Sequence, residues 1–193
     1  MKKLKYTIIV AIMGVFTLSS CGYNSMVNKQ ETVTAQWGQV QNAYQRRADL
    51  IPNLVSTVKG YATHEQETFT SVVEARARAT QMQVNPEDLT EESIQQYQQA
   101  QGQLSSALGK LLMIRENYPE LKANQNFLAL QDELAGTENR IAVERNRFNE
   151  TARDYNQYIR RFPHVIYAGW FGFKTKGYFE ADAASQTAPI VEF

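Results

Sequence analysis

The chain has 193 residues, the size of one domain. Lys+Arg and Asp+Glu both number 20, so there is no net charge, and this argues against a nucleic-acid partner, whose phosphates need a local excess of basic side chains. One cysteine excludes a disulfide framework or a Cys-based zinc site, 43% apolar content excludes wholesale disorder, and only 10 Gly and 5 Pro favour long uninterrupted helices.

Lys2, Lys3 and Lys5 precede an apolar run from Tyr6 to Leu18. That length suits a signal peptide and falls short of the ~20 residues that span a bilayer. The run ends in Leu18-Ser19-Ser20-Cys21, which resembles the lipobox of bacterial lipoproteins. The resemblance implies that residues 1–20 are removed and that Cys21 carries lipid, with residues 21–24 as a tether. Acyl chains then hold the protein to the lipid bilayer by burying methylenes, each worth about 0.8 kcal/mol. The competing reading is an uncleaved anchor helix, and either one leaves the remaining chain outside the cytoplasm. Cleavage removes three lysines and no acids, leaving a net charge of −3 and no general attraction to anionic lipid. Gly22, rather than Asp, after the cysteine favours the outer membrane where one exists.

Val33, Trp37, Val40, Tyr44, Ile51, Leu54 and Val58 form a helical seam interrupted only by Arg47. It predicts a first arm over about 25–82. Asp49 as a cap, with Pro52 in a first turn, predicts a kink or short break at Asp49–Pro52. The helix then resumes through Phe69, Val72 and Ala79, with Gly60 a weak point.

Asn85-Pro86-Glu87-Asp88 reads as a loop and helix start. It opens a middle helix over about 87–117 with Ile94, Tyr97, Leu104, Leu108 and Leu111 inward and Gln95 to Gln103 as a solvated face. Tyr118-Pro119 ends it. Phe127, Leu134, Ile141, Phe148, Tyr155 and Phe162 then recur at a strict seven-residue spacing, which predicts a last helix over about 125–162, roughly 50 Å long and stopped by Pro163. Beyond it, Tyr167, Trp170, Phe171, Phe173, Tyr178 and Phe179 crowd between Gly169, Gly172 and Gly177. They are expected to pack back on the bundle end, the alternative being contact with a membrane or partner. Residues 181–193 read as a flexible tail. The expected fold is all-α, an elongated antiparallel helical bundle over residues 25–180.

No catalytic residue, metal ligand or cofactor site is assigned. His64-Glu65 begins like a zinc-binding helix, but Thr68 stands where the second imidazole belongs, and His164 has no sequence neighbour to pair with. Arg46, Arg47, Asp49 and Lys59 form either a charged docking site or a cap with a local ion pair, and Trp170 and Phe171 join them as candidate partner contacts. Asn149 and Asn156 stand seven apart beside the apolar seam. They read as a buried polar ladder fixing helix register. The alternative is a polar pocket with Arg145 that senses a ligand or metal.

The string Arg46-Arg47-Ala48-Asp49-Leu50-Ile51-Pro52-Asn53-Leu54-Val55 resembles the signature of the LemA family. Glu116 to Asn124, Glu138 to Ala142, Tyr155-Asn156 and Phe162-Pro163 are similar to further pieces of it, and the likeness runs from about Tyr23 to Phe179. The resemblance implies a helical bundle held outside the cytoplasm by an N-terminal membrane segment. It also implies no established enzymatic activity and an envelope partner such as a TPM-domain protein. The lipobox departs from the anchor helix of many members. The expected function is therefore a non-enzymatic scaffold or adaptor in the bacterial cell envelope, with the sensing bundle second and a hydrolase last.

Overall fold

A computed structural model describes the backbone of residues 2–180 and the side chains from Gly22 to Glu180. The side chain of Cys21, those of the expected signal peptide and the tail 181–193 lie outside the described residues. The chain is all-α, with no strand among the described residues. Helix α1 covers Lys2–Lys59, α2 Gln66–Gln81, α3 Glu91–Met113, α4 Pro119–Lys122, α5 Gln125–Arg160 and α6 His164–Ala168.

The expected break at Asp49–Pro52 is absent: α1 passes through Pro52. Asp49 is an exposed mid-helix residue that accepts a bond from Gln45 Nε2 at 2.7 Å and caps nothing. Proline lacks the N–H that would bond the carbonyl four residues back. That carbonyl belongs to Ala48, and Arg76 Nε of α2 donates to it instead at 2.8 Å. A side chain 28 residues away thus repairs the helix. The break comes at Gly60–Glu65, where Tyr61 N and Ala62 N both bond to Val58 O and close the last turn. The single arm expected over 25–82 is therefore two helices, with α2 folded back on α1.

The remaining boundaries follow local chemistry. Thr90 Oγ1 accepts from Ser93 N while Ser93 Oγ accepts from Thr90 N, a reciprocal cap that starts α3. Asn124 Oδ1 accepts from Phe127 N and starts α5. Helix α5 ends two residues before the cis Phe162–Pro163 bond. Phe127, Leu134, Ile141, Phe148 and Tyr155 are buried as their spacing predicts. Phe162, the sixth step, lies past the helix end and is 80% exposed.

Helices α1 and α5 run antiparallel along their length. Lys29–Asp154 at 3.0 Å, Gln36–Glu144 at 2.8 Å, Arg47–Glu138 at 2.7 Å and Tyr61–Asn124 at 2.8 Å mark one continuous register. At 1.5 Å per residue the 36 residues of α5 span about 54 Å, whereas the 16 of α2 span about 24 Å. The bundle therefore has two levels. At the lower level four helices enclose Leu54, Val58, Phe69, Val72, Leu104, Leu111, Phe127 and Leu134. At the upper level α1 and α5 are closed by the start of α3, the loop at 82–89 and an extended segment after α6. Trp37 is central there: its Nε1 donates to Val84 O at 3.0 Å, and its ring meets Tyr97, Phe148 and Phe179.

The repair at Pro52 is testable by a double-mutant cycle. Arg76→Ala is expected to cost about 1 kcal/mol, because it leaves a half-buried carbonyl without a donor. In a Pro52→Ala background, where the helix supplies its own donor, the same change should cost appreciably less. Urea denaturation of the four proteins reads the coupling, and strictly additive costs would refute the repair.

Candidate functional site

The most constrained polar group in the bundle is the Arg47 guanidinium, whose side chain is 1% exposed. It occupies the gap in the α1 seam, between Tyr44 and Ile51, and so points inward. Nη1 donates to Glu138 Oε1 at 2.7 Å and Ser105 Oγ at 2.8 Å. Nη2 donates to Gln101 Oε1 at 2.7 Å and Gln101 O at 3.3 Å. The amide of Gln101 then donates to Ala79 O at 3.2 Å. One charge thus links α1, α3 and α5, and Gln101 carries the link to α2. Tyr44 lies beneath the guanidinium, 5.1 Å to the ring centroid. Burial pushes the neighbouring Tyr97 phenol far up, and the phenol stays neutral. A groove of about 310 Å³ opens beside this node, lined by Gln41, Gln45, Thr80, Tyr97 and Gln101 among others.

The charged cluster expected around Pro52 does not form as a unit. Arg47 is a core residue and not a docking side chain. Arg46 is exposed and 3.6 Å from Glu133, Asp49 is exposed beside Gln45, and Lys59 lies over the Phe69 ring at 5.4 Å. A groove of about 440 Å³ runs between α1 and α2 beside Lys59, lined by Pro52, Val55, Val73 and Arg76 among others.

Asn149 and Asn156 also differ from expectation. They bind no neighbouring helix, and the chain itself fills the place of the expected pocket. Asn156 Oδ1 accepts from Lys176 N at 2.8 Å and its Nδ2 donates to Lys176 O at 2.7 Å. Asn149 makes the same pair with Phe179 N and O, at 2.8 and 2.9 Å. Each amide thus acts as a strand partner for one residue of the extended segment 173–180. The spacing is physical: seven helical residues rise about 10.5 Å and three extended residues about 10 Å, so amides seven apart meet residues three apart. Gln98 of α3 repeats the motif on Glu180, and Arg145 Nη2 donates to Glu180 O at 2.7 Å. Gly177 is required where the strap crosses α3, because a Cβ there would lie 2.6 Å from the Glu91 backbone. Lys176 Nζ donates to Pro86 O at 2.8 Å, and burial pushes its pKa down.

The aromatic C-terminal residues divide. Phe173 and Phe179 pack back on the bundle, whereas Trp170 is 82% and Phe171 59% exposed. His164 lies against Tyr158 at this end and His64 is in the loop at the opposite end, so the two histidines do not meet. Among the described residues no three His, Cys, Asp or Glu side chains converge on a common point. None of the described helices is long and apolar enough to cross a membrane. The sequence carried a signal for Gln101 that its glutamine-rich setting obscured: Ile94, Tyr97, Gln101 and Leu104 step by three and four along the inward face. Nothing comparable pointed to Gln98 or Lys176, whose partners lie far away in sequence.

The pattern of the LemA family matches residues 36–193, a span that holds the whole Arg47 node, both asparagines and the strap. The chain belongs to the LemA family. It is 26% identical over 202 residues to Magnetosome protein MamQ of Magnetospirillum gryphiswaldense, a match covering 95% of this chain and 73% of that protein. It is 26% identical over 186 residues to Magnetosome protein MamQ 2 of Paramagnetospirillum magneticum, covering 88% and 68%. Protein LemA of Metamycoplasma hominis is 24% identical over 162 residues, covering 83% and 67%. The family expectation of an all-α bundle is met.

Two stability predictions follow from this geometry. Arg47→Ala removes the charge, strands Gln101 and opens a cavity, at a cost of about 3 kcal/mol. For a chain of this size that is roughly 6–12 °C in Tm. Arg47→Met restores most of the volume and should recover most of the loss. An Arg47→Ala protein within about 0.5 kcal/mol of the parent in urea melts would show that the node is not structural.

Tyr155 is the second. Its buried hydroxyl has no partner, and burial pushes its pKa up to about 12. The unfolded phenol ionises near ~10, so above that pH the unfolded state sheds a proton that the folded state keeps. The Tyr155 contribution is fully present below pH ~10 and is lost as pH climbs towards the folded value. Tyr155→Phe should therefore leave neutral-pH stability equal or slightly higher and flatten the alkaline fall in Tm; an unchanged alkaline slope would refute the assignment.

Proposed function

We propose that this LemA-family chain is a non-enzymatic scaffold of the bacterial cell envelope, lipid-anchored through Cys21 and presenting its bundle outside the cytoplasm to a membrane-associated partner. One observation carries the reading: the polar side chains that the sequence offered as site candidates inside the bundle, Arg47, Asn149 and Asn156, are committed to the bundle's own assembly. Arg47 bonds three helices, and Asn149 and Asn156 bond the strap. The names of the relatives, a magnetosome protein and protein LemA, denote no reaction.

The α1 rod gives the scaffold its reach. From Gly22 to Lys59 it rises about 56 Å without interruption. Arg46 and Asp49 then stand well away from the tether, Arg46 on the side facing Glu133 of α5, and Lys59 lines the groove of Pro52, Val55 and Val73. That face is the partner surface in this reading, and the partner is an envelope protein of the TPM-domain kind that the family resemblance implies. Charged side chains around an apolar groove give the register and selectivity that a docking site needs.

The anchor is tested by Cys21→Ser. In cells fed an alkyne-tagged fatty acid, the parent chain should take up label and the variant should take up none. An unlabelled parent chain, or label persisting in the variant, would overturn the lipid anchor.

A further inference from the structure

We propose that the end of the bundle formed by α6 and its flanking turns is a membrane seat. In it Phe162, Val165, Ile166, Trp170 and Phe171 enter the interface of an anionic phospholipid bilayer, and Arg160, Arg161 and Lys174 meet the headgroups. The proposal deepens the tethered reading above and rests on it for the orientation of α1.

The first observation is concentration. Phe162, Val165, Ile166, Trp170 and Phe171 are 80, 49, 50, 82 and 59% exposed within ten residues, whereas Val73, Met113, Leu128 and Val143 are scattered along other helices. Isolated exposed apolar residues are ordinary, but a contiguous group marks a contact surface. Three of the five are aromatic rings, one of them, Phe171, against the half-exposed Tyr23, and Trp and Tyr favour the interface between hydrocarbon and water.

The second is position. A Cβ on Gly22 would run into the Tyr167 hydroxyl, so α6 is seated directly on the helix at that point. The Tyr23 ring lies edge-on to Phe171 at 5.0 Å and Phe173 at 5.7 Å. Gly22 and Tyr23 follow Cys21 by about 1.5–3 Å of helix rise. The exposed rings therefore lie at the level where the acyl chains enter the membrane, so what covers them is the surface to which Cys21 is fixed.

The third is charge. The whole chain is neutral, yet between Asp154 and Glu180 there is no acidic residue, and Arg160, Arg161 and Lys174 are exposed there. A cationic rim around an apolar patch complements anionic headgroups over an acyl layer. The patch is also held in shape: Val165 N bonds to Arg161 O, Phe171 N to Tyr167 O and Phe173 N to Ala168 O, each at 3.0 Å. Little ordering is left for the moment of contact.

Tryptophan fluorescence tests this in the full chain, purified in detergent and reconstituted on vesicles of phosphatidylethanolamine and phosphatidylglycerol. Trp37 is fully buried and Trp170 is not, so added quenchers report on Trp170. Phospholipid brominated high on its acyl chain should quench the emission, acrylamide should not, and Trp170→Phe should abolish the lipid quenching. Quenching should be about two-fold stronger than on wholly zwitterionic vesicles, and Arg160→Gln with Arg161→Gln and Lys174→Gln should remove that difference. Trp170 open to acrylamide on vesicles overturns the seat. Shielding from both quenchers also overturns it, and points to a second copy or a protein over the patch. Mass spectrometry of Cys21 reads the tether separately. An acylated chain without lipid quenching keeps the tether and loses the seat; a quenched chain without acylation keeps the seat and loses the tether; a chain with neither loses both.

Discussion

A single buried guanidinium sets the arrangement of this bundle. The seam of α5 repeats every seven residues, from Phe127 through Tyr155. Apolar contact alone therefore tolerates a slip of α5 against α1 by one heptad, with one large side chain replacing the next. Arg47 does not tolerate it. Its charge is desolvated by burial, and the cost is offset only where Glu138, Gln101 and Ser105 converge on its two terminal nitrogens. A slip leaves the charge buried without partners, which is far costlier than the mismatch of a few methyl groups. The specificity has a residual cost in the structure itself, since Arg47 Nε is buried without an acceptor. Glu138 is partly exposed, so the pair is a hinge between interior and surface rather than a sealed ion pair.

The two levels of the bundle solve one geometric problem in different ways. Two helices of over 50 Å cannot bury both faces of their seams against helices half that length. At the lower level α2 and α3 supply the missing walls. At the upper level the 82–89 loop and the strap do so, and extended backbone brings unsatisfied N–H and C=O groups with it. Asn149, Asn156 and Gln98 satisfy them as pairs. Phe179 places its ring against Trp37 and Phe148, so the polar clamp also positions an apolar stopper.

What the sequence made legible was whatever repeats locally. The α1 and α5 seams and the stop after α5 are periodic or short-range signals, and the structure keeps them. The path through Pro52 was hidden because the replacement donor is Arg76, on another helix. The asparagines were visible as a buried polar pair, but their partners were not, because a helix read against itself shows only period seven. The match of that period to three extended residues becomes visible once α5 and the strap lie side by side. Phe162 differs for the opposite reason: the heptad pattern runs one step beyond the helix, and there the ring lies on the surface rather than in the core.

Reach and orientation are separate properties of a tethered rod. In the proposed anchoring, one attachment point at Cys21 would fix distance alone and let the bundle swing about its tether. The proposed second contact at the same end, offset from the α1 axis by the width of α6, would remove that freedom. With both in place Asp49 stands about 40 Å and Lys59 about 56 Å along α1 from Gly22. The proposed partner would then meet the α1 groove at a set height and azimuth, which would raise the effective concentration of the docking face without any added contact. The bonds of Arg47 at the lower level and of the strap at the upper level are what would carry an orientation set at one end of the molecule to a surface at the other.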